Sequence, residues 1–474
     1  MTTRATPVDI AKSRNYVALL SKPGCPAPGQ IEEPAAMVRP DTCFVSPDVI
    51  RRRFAAAMSA MYRDEVPLYT TLRDIVAEVN EAITGEPDAA VERHGAIRVG
   101  TPAEMRAIAR LFAVMGMHPV GYYDLTPVGV PVHSTAFRPV TAEGLAINPF
   151  RVFTSLLRLE LIEDAALRAA AETILAGRTI VSAETLALVD RAEAQGGLDE
   201  AQAEAFVAGA LEVFRWHGTA RVDGETYARL LGSHRLVADV VAFGGPHINH
   251  LTPHTHDIDR VQAEMAARGL PHKASIEGPP RRRTAILLRQ TSFSALAEPF
   301  VPAGADPASE PLRHTARFGE VEQRGAALTP RGRALYDQCL ATLRNEGTSP
   351  DEAFAAFPDD FVTLRRNGLA YARYVATGTS GGATDLEEAL DRGLIVAEPI
   401  LYEDFLPVSA AGIFRSNLAD DDYSASTQAS SQAELEAAIG RAILDPFALY
   451  QAIEDASREA ALAHLRGSVA LHET

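Results

Sequence analysis

The chain has 474 residues, enough for two or three domains or for one large domain with an insertion. Its 45 lysine and arginine residues against 62 aspartate and glutamate residues give a net charge of −17, which disfavours nucleic acid and anionic membrane surfaces as partners. The three cysteines are too few and too scattered for a disulfide framework, and no segment reaches the roughly 20 apolar residues of a membrane span. We therefore expect a soluble, cytoplasmic protein.

Sequence character divides the chain into five segments. The first 45 residues are rich in proline and show no sustained period, whereas a stretch from about residue 150 to about residue 235 is rich in alanine, leucine and glutamate with helical periodicity. The predicted segments are a loosely ordered extension (1–45), an N-terminal helix with a first βαβββ unit (46–145), a helical insertion (146–236), a second βαβββ unit (237–330) and a C-terminal region (331–474).

The first unit starts with a helix and continues as strand, helix, strand, strand. Ser46 and Pro47 indicate a helix start before "DVIRRRFAAAMSAMY". The stretch "VERHGAIRV" predicts a strand, and Thr101 with Glu104 three residues later forms a capping box that opens the next helix. The segments "HPVGYYDL" and "VPVHSTAFRPV" predict two further strands.

The same order returns after the insertion. "ADVVAFGGPHINHLTP" is strand-like, Asp257 caps a helix, and "KASIEG", "RTAILLRQTSF" and "HTARFGEVEQRG" predict three strands. His94 lies seven residues before its helix cap Thr101, and His250 lies seven residues before Asp257. His247 has an odd offset from His250 and would point to the opposite face of a regular strand. Two such units, packed as a pair, predict an α+β fold with a curved open sheet and a large helical insertion.

The equivalent histidines are candidate metal ligands. On the first strands of paired units they would face each other across the hollow of the sheet. Glu320 and Glu322 share one face of the last strand, and either could complete a site of two histidines and one carboxylate, as in non-haem Fe(II) oxygenases. Arg98, four residues past His94, shares the strand face of that histidine and can bind a carboxylate. An acidic substrate is therefore expected if His94 and His250 converge.

Ordinary structural roles for these residues stay open at this point. A lone strand histidine is more often a core or surface residue than a ligand. Glu322 could simply pair with Arg324, and His133, which starts a later strand, is either a support behind a ligand or a strand-edge histidine. His254 and His256 are predicted to lie in a solvated loop.

Several motifs together resemble the 2-oxoadipate dioxygenase/decarboxylase family. They include "AMSAMYRDEVPLY", "VERHGAIRVGT", "VPVHSTAFRP", "NPFRVFTSLLRLELI", "HINHLTPHTHDIDRVQ", "IEGPPRR", "HTARFGEVEQRG" and "YEDFLPVSAAGIFRSN", and the likeness runs from Ser46 into the C-terminal region. The family consists of Fe(II) enzymes of lysine catabolism, related in fold to vicinal oxygen chelate proteins.

The resemblance implies roles for particular residues. It implies that iron is bound by His94, His250 and Glu320, that Arg98 binds the substrate, and that Val408 and Ser409 line its pocket. Glu320 is favoured over Glu322 because "FGEVEQR" is similar to the F-x-E-x-x-Q-R strand that carries the metal glutamate of hydroxyphenylpyruvate dioxygenases. That family, like hydroxymandelate synthase, acts on a 2-oxo acid.

The reaction implied by the resemblance converts 2-oxoadipate and dioxygen to 2-hydroxyglutarate and carbon dioxide. The expected partners are thus a small 2-oxo acid and dioxygen. A metal-dependent isomerase or hydrolase on the same fold would turn over without oxygen. A non-catalytic protein that binds oxo acids would take up no oxygen at all.

Overall fold

A computed structural model describes residues 44–87, 91–306, 310–345, 349–379, 381, 383, 385–406 and 425–470. The strands are β1 (Glu92–Val99), β2 (His118–Asp124), β3 (Val132–Arg138), β4 (Arg151–Leu157), β5 (His250–Pro253), β6 (Leu288–Ser292), β7 (Leu296–Phe300), β8 (Leu312–Arg324), β9 (Ala372–Ala376) and β10 (Ile395–Pro399). Within these ranges, no helix is both long enough and apolar enough to cross a bilayer.

The helices fall into an N-terminal group, a group between β4 and β5, a helix after β5 and a C-terminal group. They are α1 (Pro47–Glu65), α2 (Pro67–Thr84), α3 (Pro102–Val114), α4 (Ala142–Ile147), α5 (Ala165–Ala176), α6 (Ala183–Gln195), α7 (Glu200–Glu212), α8 (Gly224–Ser233), α9 (Arg235–Ala242), α10 (Ile258–Ala267), α11 (Pro330–Asn345), α12 (Pro350–Ala353), α13 (Phe361–Arg366), α14 (Leu386–Asp391), α15 (Ala425–Ile439) and α16 (Pro446–Ala470).

Two strand groups form one eight-stranded sheet. Its order is β2-β3-β4-β1-β5-β8-β6, with β7 paired to β8. Within each group the first strand is parallel to the last, β1 to β4 and β5 to β8, and the antiparallel pair β1–β5 joins the groups. The α+β fold of paired units in an open sheet, predicted from the sequence, is confirmed.

The two unit helices start as their sequences predict. The Thr101 side chain accepts a hydrogen bond from the backbone N–H of Glu104, and the Asp257 side chain accepts one from Arg260. These side chains satisfy N–H groups that the first helical turn leaves without a partner. Both helices bury an apolar stripe, which in α3 includes Ile108 and Phe112. Each unit therefore passes from its histidine strand into a helix that packs on the sheet.

The C-terminal region packs against part of the sheet face that carries the histidines. Phe153 of β4 and Leu288 of β6 belong to the same buried cluster as Phe405 and Tyr450. Buried ion pairs reinforce this contact: Arg138 binds Asp404, with 2.8 Å between Nε and Oδ1. The C-terminal region thereby helps to close the hollow of the sheet.

One strand lies inside the predicted helical insertion. The strand β4 occupies part of the range 146–236, and the following α-helix begins only at Ala165. Every residue of β4 is buried because both faces of this central strand are covered. Burial on both faces removes the polar alternation that identifies a half-exposed strand. The first unit thus extends past the predicted boundary at residue 146 and gains its fourth strand.

The predicted strand "KASIEG" is not a regular strand. The segment runs beside β6, where the N–H of Lys273 donates to the carbonyl of Ser292 at 3.1 Å and Glu277 forms an isolated bridge with Gln290. It still places Lys273 beside β6.

Candidate metal centre

Three adjacent strands bring the predicted ligands together. His94 on β1 lies opposite Thr252 of β5, and His250 on β5 lies opposite Ala96 of β1. One ligand atom from each of His94, His250 and Glu320 can be chosen so that all three lie within 4.8 Å of one another. The two histidines thus lie side by side on β1 and β5, the pair of strands at the joint between the two strand groups (the half-sheets), and their ring centroids are 5.4 Å apart. The prediction that they face each other across the hollow of the sheet is therefore wrong.

His94 is held between two carboxylates. Its Nε2 lies 3.0 Å from Oε1 of Glu320, and its Nδ1 lies 2.7 Å from Oε2 of Glu322. Arg324 donates two hydrogen bonds to Glu322, one of them 2.9 Å long. A carboxylate that accepts the second ring N–H of a histidine fixes the orientation of the ring and raises its basicity as a ligand. Glu322 therefore does more than pair with Arg324, because it orients His94.

Glu320 is ionised and fully enclosed. Its Oε1 accepts hydrogen bonds from Gln290 at 2.5 Å and from the Thr252 hydroxyl at 3.3 Å. Burial alone would raise the pKa of Glu320, but its hydrogen bond with His94 and the charge of the nearby Lys273 lower it below its ordinary value. The carboxylate oxygen thus carries the negative charge that a metal ligand requires.

His250 can offer the lone pair of a ring nitrogen to a metal. Its ring is buried and stacks on Phe318 with centroids 4.7 Å apart, and neither ring nitrogen has a hydrogen-bond partner among the described residues. Burial lowers the pKa of His250 to about 3, so the ring is neutral at physiological pH. A buried polar atom without a partner is costly unless a ligand satisfies it. The two imidazoles and one carboxylate fit a divalent transition-metal ion.

A cavity of about 540 Å³ adjoins the ligands. Its wall includes Arg98, Asp239, Lys273, Ser292 and Phe318. Phe318 stacks on His250, and Ser292 is the register partner of Glu320. The cavity is therefore large enough for a small organic acid and opens beside the candidate metal centre.

Asp239 anchors Arg98 in the cavity wall. Nη1 of Arg98 donates to Oδ2 of Asp239 at 2.7 Å, while Oδ1 of Asp239 lies 2.9 Å from Nε2 of His314 and 3.3 Å from Nε2 of His247. Burial would raise the pKa of Asp239, but His247 and Arg98 lower it well below its ordinary range. Arg98 thus has a fixed orientation and a carboxylate already bound to one side of its guanidinium. His247 contributes to this anchor.

His133 lies on the other face of the sheet. It is the register partner of Leu156 on β4, which in turn pairs with Val99 of β1. Val99 is an odd number of positions from His94, so its side chain points away from the ligands. The prediction that His133 supports a ligand is thus corrected in favour of Glu322.

Two further predictions concern segments at the edge of the site. Val408 and Ser409 lie outside the described residues, but the ring of Phe405, a little earlier in the chain, packs edge-on against His94 at 4.9 Å. His254 is not in a solvated loop, since it continues β5 by a bridge to Glu322, whereas His256 is exposed as predicted.

Sequence reasoning missed the groups that hold the ligands and Arg98 in place. Gln290 and Thr252 reach Glu320 only through the strand register, and Asp239 reaches Arg98 from a helix. Side chains alternate between the two faces of a strand, so the sequence could have indicated that Thr252 lies on the same face of β5 as His250. For Asp239 the sequence holds no such signal.

A family model described as 2-oxoadipate dioxygenase/decarboxylase matches residues 54–417. The chain belongs to this family. A relative named 2-oxoadipate dioxygenase/decarboxylase from Pseudomonas putida is 52% identical, with 89% of this chain and 98% of the relative covered. A relative of the same name from Mycobacterium tuberculosis is 43% identical over 86% of this chain and 97% of its own.

A solved structure agrees with this family membership. The crystal structure of the hydroxyglutarate synthase from Pseudomonas putida in complex with 2-oxoadipate superposes with a TM-score of 0.82 at 51% identity. The alignment covers 89% of this chain and 99% of that one. The family resemblance drawn from the sequence motifs is therefore confirmed.

Proposed function

We propose that the protein is an Fe(II)-dependent dioxygenase and decarboxylase that converts 2-oxoadipate and dioxygen to 2-hydroxyglutarate and carbon dioxide in lysine catabolism. One observation carries the proposal: two buried histidines and a buried carboxylate meet beside a cavity whose wall holds an arginine. The names of relatives about half identical over most of the chain support the choice of reaction. The scattered cysteines support a cytoplasmic location.

The residues that would hold the iron are His94, His250 and Glu320. Three protein ligands leave further positions for a 2-oxo acid and dioxygen, as in other iron oxygenases with two histidines and one carboxylate. When bound, iron supplies the activation of dioxygen next to the 2-oxo acid. Glu322 keeps the His94 ring in its ligating orientation through the hydrogen bond at Nδ1.

Arg98 would bind a carboxylate of the substrate. Its guanidinium is planar and offers five donors, and its Nη1 donates to Asp239. A carboxylate held there would lie in the cavity that adjoins the ligand set. As the family resemblance implies, we propose that Val408 and Ser409, which follow Phe405 in the chain, line the substrate pocket; the ring of Phe405 contacts His94.

Oxygen consumption tests the proposal. Protein reconstituted anaerobically with Fe(II) is mixed with oxygenated buffer and 2-oxoadipate, and oxygen uptake, carbon dioxide and hydroxyglutarate are measured together. We expect one hydroxyglutarate and one carbon dioxide for each dioxygen consumed. Turnover without oxygen would instead indicate an isomerase or hydrolase, and binding without any turnover would indicate a binding protein.

A further inference from the structure

A chain of hydrogen bonds runs from the cavity wall into the interior of the protein. Nη1 of Arg98 donates to Oδ2 of Asp239 at 2.7 Å, and Oδ1 of Asp239 lies 2.9 Å from Nε2 of His314. Nδ1 of His314 lies 2.8 Å from the hydroxyl oxygen of Tyr227. Arg98 and Asp239 line the cavity, whereas Tyr227 and His314 are buried outside its wall. The chain therefore connects two side chains outside the cavity with the arginine that is proposed to bind the substrate.

The chemistry of the groups determines which atom donates at each step. A carboxylate only accepts hydrogen bonds, so Nε2 of His314 carries the proton that it shares with Asp239. In the neutral ring Nδ1 then has a lone pair, and the hydroxyl of Tyr227 donates to it. Both nitrogens of the buried His314 ring are thus satisfied, and the Asp239 carboxylate is bound from the side opposite to Arg98.

Aromatic packing holds the ring of His314 in this orientation. Its centroid lies 5.0 Å from that of Phe243, and the ring of Trp216 lies parallel to it within 7°, with centroids 6.4 Å apart. His314 belongs to β8, Tyr227 to α8 and Asp239 to α9, so three packed elements meet at this point. The position of the Asp239 carboxylate is therefore determined by groups that lie away from the cavity.

We propose that His314, supported by Tyr227, is a positioning residue for substrate binding. It holds Asp239 in place, and Asp239 in turn orients the guanidinium of Arg98. The inference rests on the proposed function, in which Arg98 binds a carboxylate of the substrate. An arginine that is held in one orientation before the substrate arrives loses less conformational entropy on binding. His314 thereby raises the affinity for the substrate without touching it.

Anaerobic binding of 2-oxoadipate to the Fe(II)-loaded enzyme tests this role without any turnover. His314→Phe removes both ring nitrogens and keeps an aromatic ring in the cluster. We expect the Kd for 2-oxoadipate to rise about 5- to 10-fold, the size of one buried hydrogen bond. His314→Gln offers an amide N–H near the position of Nε2 and should recover most of the affinity.

A double-mutant cycle with Arg98→Ala distinguishes positioning from a general structural effect. If His314 acts through Arg98, adding His314→Phe to Arg98→Ala should raise the Kd little further. Should His314→Phe not fold, Tyr227→Phe, which loses a single oxygen atom, serves in the same cycle. Kd changes that add in the double variant would overturn the proposal, and so would a wild-type Kd in the single variant.

Controls separate this inference from the function on which it rests. His217→Phe makes the same change at an exposed histidine and should leave the Kd as in the wild type. Iron content measured on each variant excludes loss of the metal as the cause. Binding that depends on His314 through Arg98, without oxygen uptake in air, would support the positioning role while refuting the dioxygenase function.

Discussion

The two halves of the sheet share one backbone pattern but differ in the side chains beside their histidines. His94 pairs in parallel with Arg151, and His250 pairs in parallel with Phe318. Two residues further along the last strand of each half, on the same face, the second half has Glu320 and the first half has Phe153. The metal site therefore takes one histidine from each half but a carboxylate from only one.

The next positions on the same face of these two strands also differ, with a carboxylate in the second half and an uncharged side chain in the first. Glu322, which orients His94, corresponds in the first half to Ser155, whose hydroxyl lies 2.7 Å from that of Ser134. Phe153 packs edge-on against Phe405 at 5.2 Å. Equivalent backbone positions thus carry two carboxylates in one half and two uncharged side chains in the other.

The largest effect is expected from removing the ligand carboxylate. Glu320→Ala should lose most of its bound metal under conditions in which the wild type holds one ion per chain, because only the two imidazole ligands remain. Phe153→Leu, the matched change in the other half, should keep the metal. Metal content by mass spectrometry measures both variants. Full occupancy in Glu320→Ala would mean that the carboxylate is not a ligand.

Removing Arg98 should separate substrate binding from metal binding. Arg98→Ala should raise the KM for 2-oxoadipate roughly 30-fold or more, since a charge-assisted contact of about 2 to 3 kcal/mol is lost. Iron content should stay unchanged. His254→Gln, at the equivalent position of the other half, serves as the control. If iron is lost from Arg98→Ala, the role of Arg98 is structural.

Removing the orienting carboxylate should weaken metal binding without abolishing it. Glu322→Gln should raise the Kd for the metal about 10- to 100-fold, because the His94 ring loses its charged partner. Ser155→Ala, the equivalent change in the first half, should leave that Kd as it is. Competition with a metal chelator provides the measurement. Equal Kd values for Glu322→Gln and the wild type would refute the orienting role.

The smallest effect concerns stability at acid pH. Burial would raise the pKa of Glu403, but Arg151, Arg93 and Arg324 lower it to about 2. The lowered pKa contributes free energy of unfolding above the ordinary glutamate pKa, on the order of 3 kcal/mol, and this is lost as the pH falls toward 2. Urea unfolding of the wild type and Glu403→Gln should therefore give free energies that converge between about pH 5 and pH 2. A constant difference would contradict the shift.

The sequence predicted those features that short-range patterns determine. The strand β1, the helix α3 with its Thr101 cap, and the matched spacing of His94 and His250 all follow from local periodicity and capping residues. The strand β4 was missed because burial on both faces removes alternation. The fold and the convergence of the two equivalent histidines could thus be inferred from the sequence, but their side-by-side position on adjacent strands could not.

The supporting contacts could not be inferred in the same way. Asp239 and Glu322 act through partners far away in the chain, and only the packed sheet brings them to Arg98 and His94. The choice of Glu320 over Glu322 as the ligand came from family resemblance. In the structure both carboxylates contact His94, but only Glu320 also reaches His250. Tertiary packing therefore distinguishes Glu320 from Glu322, which the local sequence pattern does not.

The most direct test of the account is a crystal structure of the protein loaded anaerobically with Fe(II), with anomalous diffraction recorded on both sides of the iron absorption edge. We expect one anomalous peak at the joint between the half-sheets, within ligand distance of His94, His250 and Glu320. A peak elsewhere, for example at the neighbouring rings of His254 and His256, would contradict the metal centre described above.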